Sequence, residues 1–364
     1  MPASNKRIPL VKYADPQLND KTSQIPGRAY TCFFWSLLLL ICMGVCVYYS
    51  VTKPIVITSA NVSEVMQFDE SEMIPLSVYG VPISGRIMFN VPTDVQASDI
   101  VTENLYNEKK FLVHINTDSD SFYGAVTESG VNVDKGKIFG DRSLVKGASV
   151  VYDKAGLLLI FDLDRVSEYT LTMDGNSVIM DATDPGSLYD YVVVMDPGDV
   201  SEAAGVCADV ADRAAQLLYQ EGIRVYLTET SPDAENAISP AQLMEETGAD
   251  IYIGIDVAHD GAAYHGIRTY YDPLYYIPEF GSIELSECCL NSTAIAVSNR
   301  ALGISEAPSG SVLYEINAPA TQIIIGNADN TDEYALLTED SYRDRLASGI
   351  YDAVMEAAGK AGDV

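Results

Sequence analysis

Basic residues are scarce in this chain of 364 residues, in which 22 Lys and Arg stand against 52 Asp and Glu, for a formal net charge of −30. So acidic a surface argues against nucleic-acid partners and against adhesion to anionic lipid headgroups, because both need basic patches. Histidine is scarce as well, with three residues. The chain beyond residue 52 has neither a Gly-x-Ser-x-Gly elbow nor a phosphate-cradling loop. This composition leaves little for a Ser-His or Cys-His catalytic pair.

Cysteine is too sparse and too irregular for a disulfide framework. Three of the six cysteines lie in one apolar run, and the other three, Cys207, Cys288 and Cys289, are an odd number without regular spacing. The adjacent pair could bind a metal, but small cysteines on an apolar helix face act more simply as buried hydrophobes. We predict that these cysteines are buried.

One long apolar run stands out. Residues 30–51 carry no charge over 22 positions, which is enough to cross a hydrocarbon core of roughly 30 Å as a helix. Residues 1–29 contain five basic and two acidic residues, which predicts a disordered cytoplasmic tail and extracytoplasmic domains after the span. A cleaved signal peptide is the alternative, but its apolar core would be shorter, about 7–15 residues. The prediction is an uncleaved, single-pass signal-anchor in the cell membrane.

Turn residues and apolar periodicity divide the rest of the chain. Residues 52–75 are rich in Ser, Thr, Asn and acidic residues and are interpreted as a linker. Residues 76–185 contain short β-prone runs, such as 157–161, separated by turns such as 174–176, which predicts a small all-β sandwich or barrel. From 190 to 360 strands alternate with helices, which predicts a sheet with helices on both faces.

The periodicity of the second region also predicts individual elements. Buried strands are expected at 191–196, 251–256 and 322–325. One helix is expected to end at Gly222 and another, carrying an apolar face that continues through Ala301, to end before Gly303. The last helix is expected to bury one face made of Leu346, Ile350, Ala353 and Ala357.

Five short segments, in order along the chain, carry a family resemblance. They are Val192–Asp199, Leu217–Thr228, Ala249–Asp256, Gly266–Tyr271, and Pro319-Ala320 with the later Gly326 and Asn330. Together they make residues 191–358 resemble the zinc-dependent N-acetylmuramoyl-L-alanine amidase domain, which cleaves peptidoglycan. The resemblance implies an α/β amidase-like fold, a mixed sheet flanked by helices, after the small all-β domain and the N-terminal transmembrane helix. The end of the β region, residues 169–180, is similar to AMIN domains, which localise such amidases to the envelope.

The same resemblance assigns the site residues. The family uses two histidine ligands, a glutamate ligand and a general-base glutamate; here the histidine positions hold Asp199 and Asp256. The glutamate-ligand position aligns with Ala203, next to Glu202, and Ile324 occupies the general-base position. A catalytic zinc needs three protein ligands and a base for its water. The resemblance therefore implies a degenerate site without catalytic residues.

Other residues near this site leave alternatives open. Asp199, Glu202 and Asp256 would form an all-oxygen set, which suits Mg²⁺, Ca²⁺ or Mn²⁺ better than zinc. His259 and His265 either approach the same edge or are polar loop residues. Tyr270 and Tyr271 could stack on sugar or peptide, or pack at a strand edge. Whether any metal is bound stays open at this point.

The sequence thus predicts a membrane-anchored envelope protein with an amidase-like domain that has lost its zinc ligands and general base. Its expected partners are peptidoglycan or other envelope proteins, and no cofactor is expected. The alternative is a divergent active amidase that hydrolyses the glycan–peptide amide bond with a rebuilt metal site, in which case zinc is the cofactor. A third hypothesis is a purely structural partner in a membrane-anchored assembly.

Overall fold

The computed structural model describes the backbone of residues 55–57 and residues 73–118, 122–123, 136–153, 156–198, 204–228, 238–273 and 280–361. All of them belong to the compact unit Ile55–Val364. Within these described ranges, no helix is both long enough and apolar enough to cross a membrane. The predicted transmembrane segment 30–51 and the tail 1–29 lie outside them.

The first region is a β sandwich, because two sheets pack on one shared apolar core. In the described residues one sheet has the order β1-β10-β11-β4-β7-β3 and the other β2-β8-β9-β6-β5, and all pairs but β3–β7 are antiparallel. Alternating residues such as Ile87 and Phe89 from one sheet and Val113 and Leu159 from the other are buried together. The strands are β1 (Ile55–Ile57), β2 (Ile74–Pro75), β3 (Val78–Gly80), β4 (Arg86–Asn90), β5 (Ile100–Leu105), β6 (Lys110–Ile115), β7 (Ile138–Gly140), β8 (Val145–Asp153), β9 (Gly156–Leu163), β10 (Glu168–Asp174) and β11 (Ser177–Thr183).

The linker interpretation of residues 52–75 needs correction at both ends. β1 pairs with β10 and β2 pairs with β8, so each adds a short strand to one of the two sheets. The Ile-Val-Ile run of β1 has the β-branched composition that strands prefer. Three residues are too few to show an alternating pattern, so only the pairing with distant strands reveals them.

The second region is an α/β domain with a mixed six-stranded sheet in the order β13-β12-β14-β17-β15-β16. β15 runs antiparallel to β17, whereas the other neighbours are parallel. Its elements are α1 (Pro185–Leu188), β12 (Val192–Pro197), α2 (Ala204–Gln220), β13 (Arg224–Leu227), α3 (Pro240–Thr247), β14 (Ile251–Ala258), β15 (Ile267–Tyr271), α4 (Ser282–Val297), β16 (Ala301–Glu306), β17 (Ala320–Asn327), α5 (Thr331–Leu337) and α6 (Asp340–Ala361).

Side-chain alternation gives this sheet two different faces. Ile251, Ile253 and Ile255 of β14 belong to a large core that α2, α4 and α6 cover. Tyr252, between them, belongs to a smaller core with α3 and with residues of the β sandwich. The prediction of helices on both faces is therefore confirmed, and so are the buried cysteines and the apolar face of the last helix. We refer to the α3 side of the sheet as the sandwich face.

The helix predicted to run through Ala301 is wrong at its end. α4 stops at Val297, where Ser298 adopts a left-handed conformation with φ of 55° and caps the helix. Asn299 then donates to the buried carboxylate of Glu333 at 2.8 Å, and Ala301 begins β16. The apolar spacing of the helix continues past Val297, so the spacing alone does not indicate where the helix ends.

The β sandwich and the α/β domain meet in a polar joint beside β13. Glu168 of β10 accepts hydrogen bonds from Arg224 Nε at 2.7 Å and from the Tyr226 hydroxyl at 2.6 Å. Glu246 of α3 accepts from Lys109 Nζ at 2.5 Å and from the backbone N–H of Val166 at 2.9 Å. These contacts connect both sheets of the sandwich to the α/β domain, so the sandwich packs directly against the second domain.

Candidate ligand-binding site on the sandwich face of the sheet

The candidate site consists of two rows of residues near the carboxyl ends of the central parallel strands. Strand register places Asp196, Gly254, Gln322 and Tyr270 side by side across four strands. A second row lies two residues further along β14. In it, Asp256 of β14 pairs with Ile324 of β17, and Ile324 pairs with Arg268 of β15. Because side chains alternate along a strand, all these residues share the sandwich face with Tyr252. We call this set the two-row surface.

Asp196 of β12 accepts hydrogen bonds from residues on both sides of its strand. Its carboxylate accepts a hydrogen bond from the Tyr252 hydroxyl of β14 at 2.5 Å and another from the Thr228 hydroxyl beyond β13. Burial, and next the negative charge of Asp196, raise the pKa of Tyr252, so this phenol stays protonated and donating. Asp196 is therefore a structural acceptor within the site.

Asp256 lies under the Asp-Pro-Gly turn. Gly198 donates its N–H to the carbonyl of Ile255 at 2.8 Å, and a Cβ placed on Gly198 would lie 3.5 Å from the Asp256 carboxyl carbon. The two carboxylate oxygens of Asp256 accept from the N–H of Val257 at 2.7 Å and from the Gln322 amide at 3.2 Å. The half-buried carboxylate is thus already held by two donors.

Ile324 is the direct neighbour of Asp256 on the adjacent strand β17. Its side chain is 6% exposed, and the strand on its other side carries Arg268 at the same level. The hydrocarbon side chain of isoleucine has no group that can take a proton. The position that the family resemblance assigns to the general base is therefore occupied by buried hydrocarbon.

The loop after β14 holds the two predicted histidines away from this hydrogen-bond network. His259 and His265 are both exposed, and the Nδ1 of His259 lies 3.7 Å from a carboxylate oxygen of Asp329. Asn327 fastens the loop, because its amide donates to Asp260 at 3.0 Å and to the carbonyls of Gly261 and Tyr264. The described contact of His259 is thus with the loop that follows β17.

The two predicted tyrosines separate. Tyr270 lies on the two-row surface beside Gln322, and the guanidinium of Arg268 lies 5.8 Å from its ring centroid. Thr269, next in the strand, points to the helix face, where its hydroxyl donates to Ser286 of α4 at 3.1 Å. Alternation then turns Tyr271 to the helix face as well. The rings of Tyr270 and Tyr271 therefore face opposite sides of the sheet and cannot stack together on one ligand.

Asp199 and Glu202 lie outside the described residues, so their place in the site stays a prediction. Within the described ranges, no group of three or more His, Cys, Asp or Glu side chains is arranged to hold a metal. Asp256 directs its oxygens to N–H donors, and a zinc enzyme of this type needs three protein ligands with one open position. Of the three candidate ligands, Asp256 is the one that the structure describes, so the absence of a catalytic zinc stays a prediction.

Gln322 and Arg268 belong to this site but were missed by the sequence reasoning. Gln322 sits two residues before Ile324, so a period of two along β17 would have placed it on the same face. A period of two along β15 likewise places Arg268 on the face of Tyr270, and the antiparallel pairing with β17 brings it beside Ile324. The polar character of the two-row surface is thus a tertiary property.

The fold and this surface define an α/β domain whose candidate site follows an Asp-Pro-Gly turn at a strand end. The pattern of the N-acetylmuramoyl-L-alanine amidase family matches residues 183–356, and these residues form an amidase domain of that family. The predicted family resemblance is therefore confirmed. The AMIN resemblance and the altered zinc ligands stay predictions.

Among solved structures, the domain is similar to an N-acetylmuramoyl-L-alanine amidase from Clostridium difficile 630, with 26% identity, a TM-score of 0.41, and coverage of 46% of this chain and 97% of that one. The catalytic domain of CwlV from Bacillus (Paenibacillus) polymyxa var. colistinus has 21% identity, a TM-score of 0.39, and coverage of 46% and 98%. For Ami1 from Mycobacterium smegmatis the values are 15%, 0.41, and 47% and 98%. No curated protein matches the chain significantly.

Proposed function

We propose that this protein is a membrane-anchored, extracytoplasmic component of a bacterial cell envelope whose amidase domain binds without catalysis. Its ligand is peptidoglycan, or another envelope protein, and residues 30–51 are its anchor. The amidase family acts on the amide between glycan and stem peptide, which supplies the ligand class. No cofactor takes part.

The observation that carries this proposal is Ile324. A hydrolase of this kind needs a carboxylate that removes a proton from water, and a buried isoleucine in register with Asp256 offers none. The hydrogen bonds from Gln322 and Val257 to Asp256 support the same view, because they occupy the oxygens that a metal ligand would present.

The two-row surface keeps groups that suit a glycan or peptide ligand. Gln322 is both donor and acceptor, and Tyr270 offers a half-exposed ring. The Gln322 side chain packs closely over Gly254, because a Cβ on that glycine would lie 3.3 Å from it. Polar groups beside an aromatic ring are typical of carbohydrate and peptide recognition.

The test uses the full-length protein in detergent with purified peptidoglycan sacculi. We expect sedimentation with the sacculi, no release of stem peptides by mass spectrometry, and zinc well below one equivalent per chain after dialysis. Tyr270→Ala should reduce co-sedimentation at least fivefold. Tyr219→Ala is the matched control, because Tyr219 is 71% exposed on α2, which packs on the opposite face of the sheet.

The alternative is a divergent active amidase that uses Asp199, Glu202 and Asp256 in a rebuilt metal site. Stoichiometric metal together with release of stem peptides, both abolished by Asp256→Ala, would establish it and overturn the non-catalytic proposal. If the protein binds neither sacculi nor metal, and instead pulls down one envelope protein, the structural-partner role holds. Resistance of the full-length protein to alkaline carbonate extraction from membranes tests the anchor separately.

A further inference from the structure

The two outer edges of the α/β sheet differ in what covers them. At β13, Tyr106 and Asn107 of the sandwich reach the free edge: the Tyr106 hydroxyl lies 2.9 Å from the N–H and 3.0 Å from the carbonyl of Leu227, and the Asn107 amide donates to the same carbonyl at 3.0 Å. Side chains of the sandwich therefore close this edge. Unpaired strand edges are otherwise templates for pairing with another chain.

The edge at β16 is open. Among the described residues β16 pairs with β15 alone, and most of its residues are half-exposed or exposed. The strand Ala301–Glu306 contains no Lys and no Pro, two residues that often protect an edge, and its charged residue, Glu306, stands at its end. Leu302 is 38% exposed, and Ile295, near the end of the preceding helix α4, is 76% exposed. Within the described part of the chain, this edge thus exposes apolar side chains to solvent.

The backbone groups available at this edge follow from its pairing with β15. Ile267 donates its N–H to the carbonyl of Arg300 at 2.8 Å, and Ala307 donates to the carbonyl of Tyr271 at 2.8 Å. In a parallel ladder, a residue that bonds across the ladder does so to the two residues on either side of its paired residue. Ala301 and Ile304 are the residues paired with Ile267 and Thr269, so their own N–H and C=O groups point away from β15. The register shift between Ile267 and Arg268 makes the separation between Ala301 and Ile304 three residues, which is an odd number.

This spacing is self-complementary for two copies of the strand. When two β16 strands run antiparallel about a two-fold axis between Leu302 and Gly303, Ala301 of each copy lies opposite Ile304 of the other. Both residues have outward N–H and C=O groups, so each of the two symmetric pairs can exchange two hydrogen bonds. Four backbone hydrogen bonds then join two six-stranded sheets.

The charges at the ends of the strand complement each other in the same arrangement. Arg300 and Glu306 are both exposed, and neither makes an ion pair with another described residue. Antiparallel pairing brings the Arg300 end of each strand beside the Glu306 end of the other copy. A second copy of this chain therefore satisfies the charge, the exposed apolar residues and the backbone groups at once.

We propose that the protein self-associates through the β16 edge into a two-fold dimer with a continuous β sheet. The proposal is independent of the ligand on the two-row surface. The net charge of −30 opposes association of two copies, so the dimer is reversible and dissociates on dilution.

Sedimentation velocity of the full-length protein in detergent, over a hundredfold concentration range, tests this dimer. We expect Arg300→Glu and Glu306→Arg each to weaken dimerisation at least fivefold, and the double variant Arg300→Glu/Glu306→Arg to return within about twofold of the wild type. Leu302→Lys, which adds a protective charge to the edge, should also weaken it. Tyr219→Lys on α2 is the control and should leave it unchanged.

Thermal unfolding of each variant separates loss of the interface from loss of the fold. A wild type that stays monomeric throughout overturns the proposal. So does a dimer that tolerates both single charge reversals and Leu302→Lys, and so do folded single variants that lose the dimer while the double variant fails to regain it.

Discussion

Removal of the Glu168 carboxylate is the sharpest test of the joint between sandwich and α/β domain. Glu168 pairs with Arg224 at 2.7 Å, and their side chains are 17% and 23% exposed. The guanidinium also lies 4.5 Å from the Tyr226 ring centroid. Glu168→Ala therefore leaves a mostly buried cation and a Tyr226 hydroxyl without their acceptor.

The magnitude lies between two limits. Breaking a fully buried pair by removing one partner costs about 3–5 kcal/mol, whereas an exposed pair contributes about 0–1 kcal/mol. With both side chains about one-fifth exposed, we expect Glu168→Ala to lower the free energy of unfolding by about 2–3 kcal/mol. For a unit of this size that corresponds to a Tm lower by about 3–5 °C.

Urea denaturation of the full-length protein, followed by circular dichroism, measures this loss. Lys146→Ala is the control, because Lys146 pairs with Asp164 in the same sandwich but the two side chains are 60% and 51% exposed. We expect that variant to lose no more than about 1 kcal/mol. Equal losses for the two variants would refute the reasoning that burial makes Glu168 a structural joint.

Two further perturbations act on backbone approach and on pH dependence. A Cβ on Gly349 of α6 would lie 2.5 Å from the Cα of Thr293 in α4, so Gly349→Ala should destabilise the protein by about 1–3 kcal/mol. A Cβ on Gly359 of the same helix has nothing within 4 Å, so Gly359→Ala should be neutral or stabilise the protein by up to about 1 kcal/mol. Thermal unfolding compares the two variants, and equal effects would contradict close packing of α6 on α4. Hydrogen bonding, led by the N–H of Gly85, lowers the pKa of Asp141 to about 2, so its ionised form should stabilise the fold above the unfolded pKa and lose that contribution as the pH falls through 2. Carboxyl ¹³C NMR titration should find a midpoint near pH 2, and a midpoint near 4 would contradict the hydrogen-bond assignment.

Much of the fold could be predicted because its signals are local. The strands expected at 191–196 and 251–256 appear as Val192–Pro197 and Ile251–Ala258, and the last helix buries its apolar face as expected. Period and turn residues report which face of an element is buried. Of the candidate site, the sequence predicted the strands that contain Asp256 and Ile324, and only the structure shows that these two residues are neighbours.

The remaining features depend on which distant segments pair. β1 and β16 are short strands that local patterns assign to a linker and to a helix, and only their partners β10 and β15 define them. Gln322 and Arg268 reach Asp256 and Ile324 through strand register, which no local period specifies.

The amino-acid sequence by itself determined the main buried strands, the apolar face of the last helix and the match of residues 183–356 to the amidase family, whereas the assignment of Ile324 to the general-base position stays a prediction. Only the tertiary structure decided that Asp256 accepts a hydrogen bond from Gln322, that side chains of the sandwich contact the β13 edge, and that no described strand pairs with the outer edge of β16. The physical reason is that periodicity acts within a few residues, whereas pairing and packing join residues far apart in the chain.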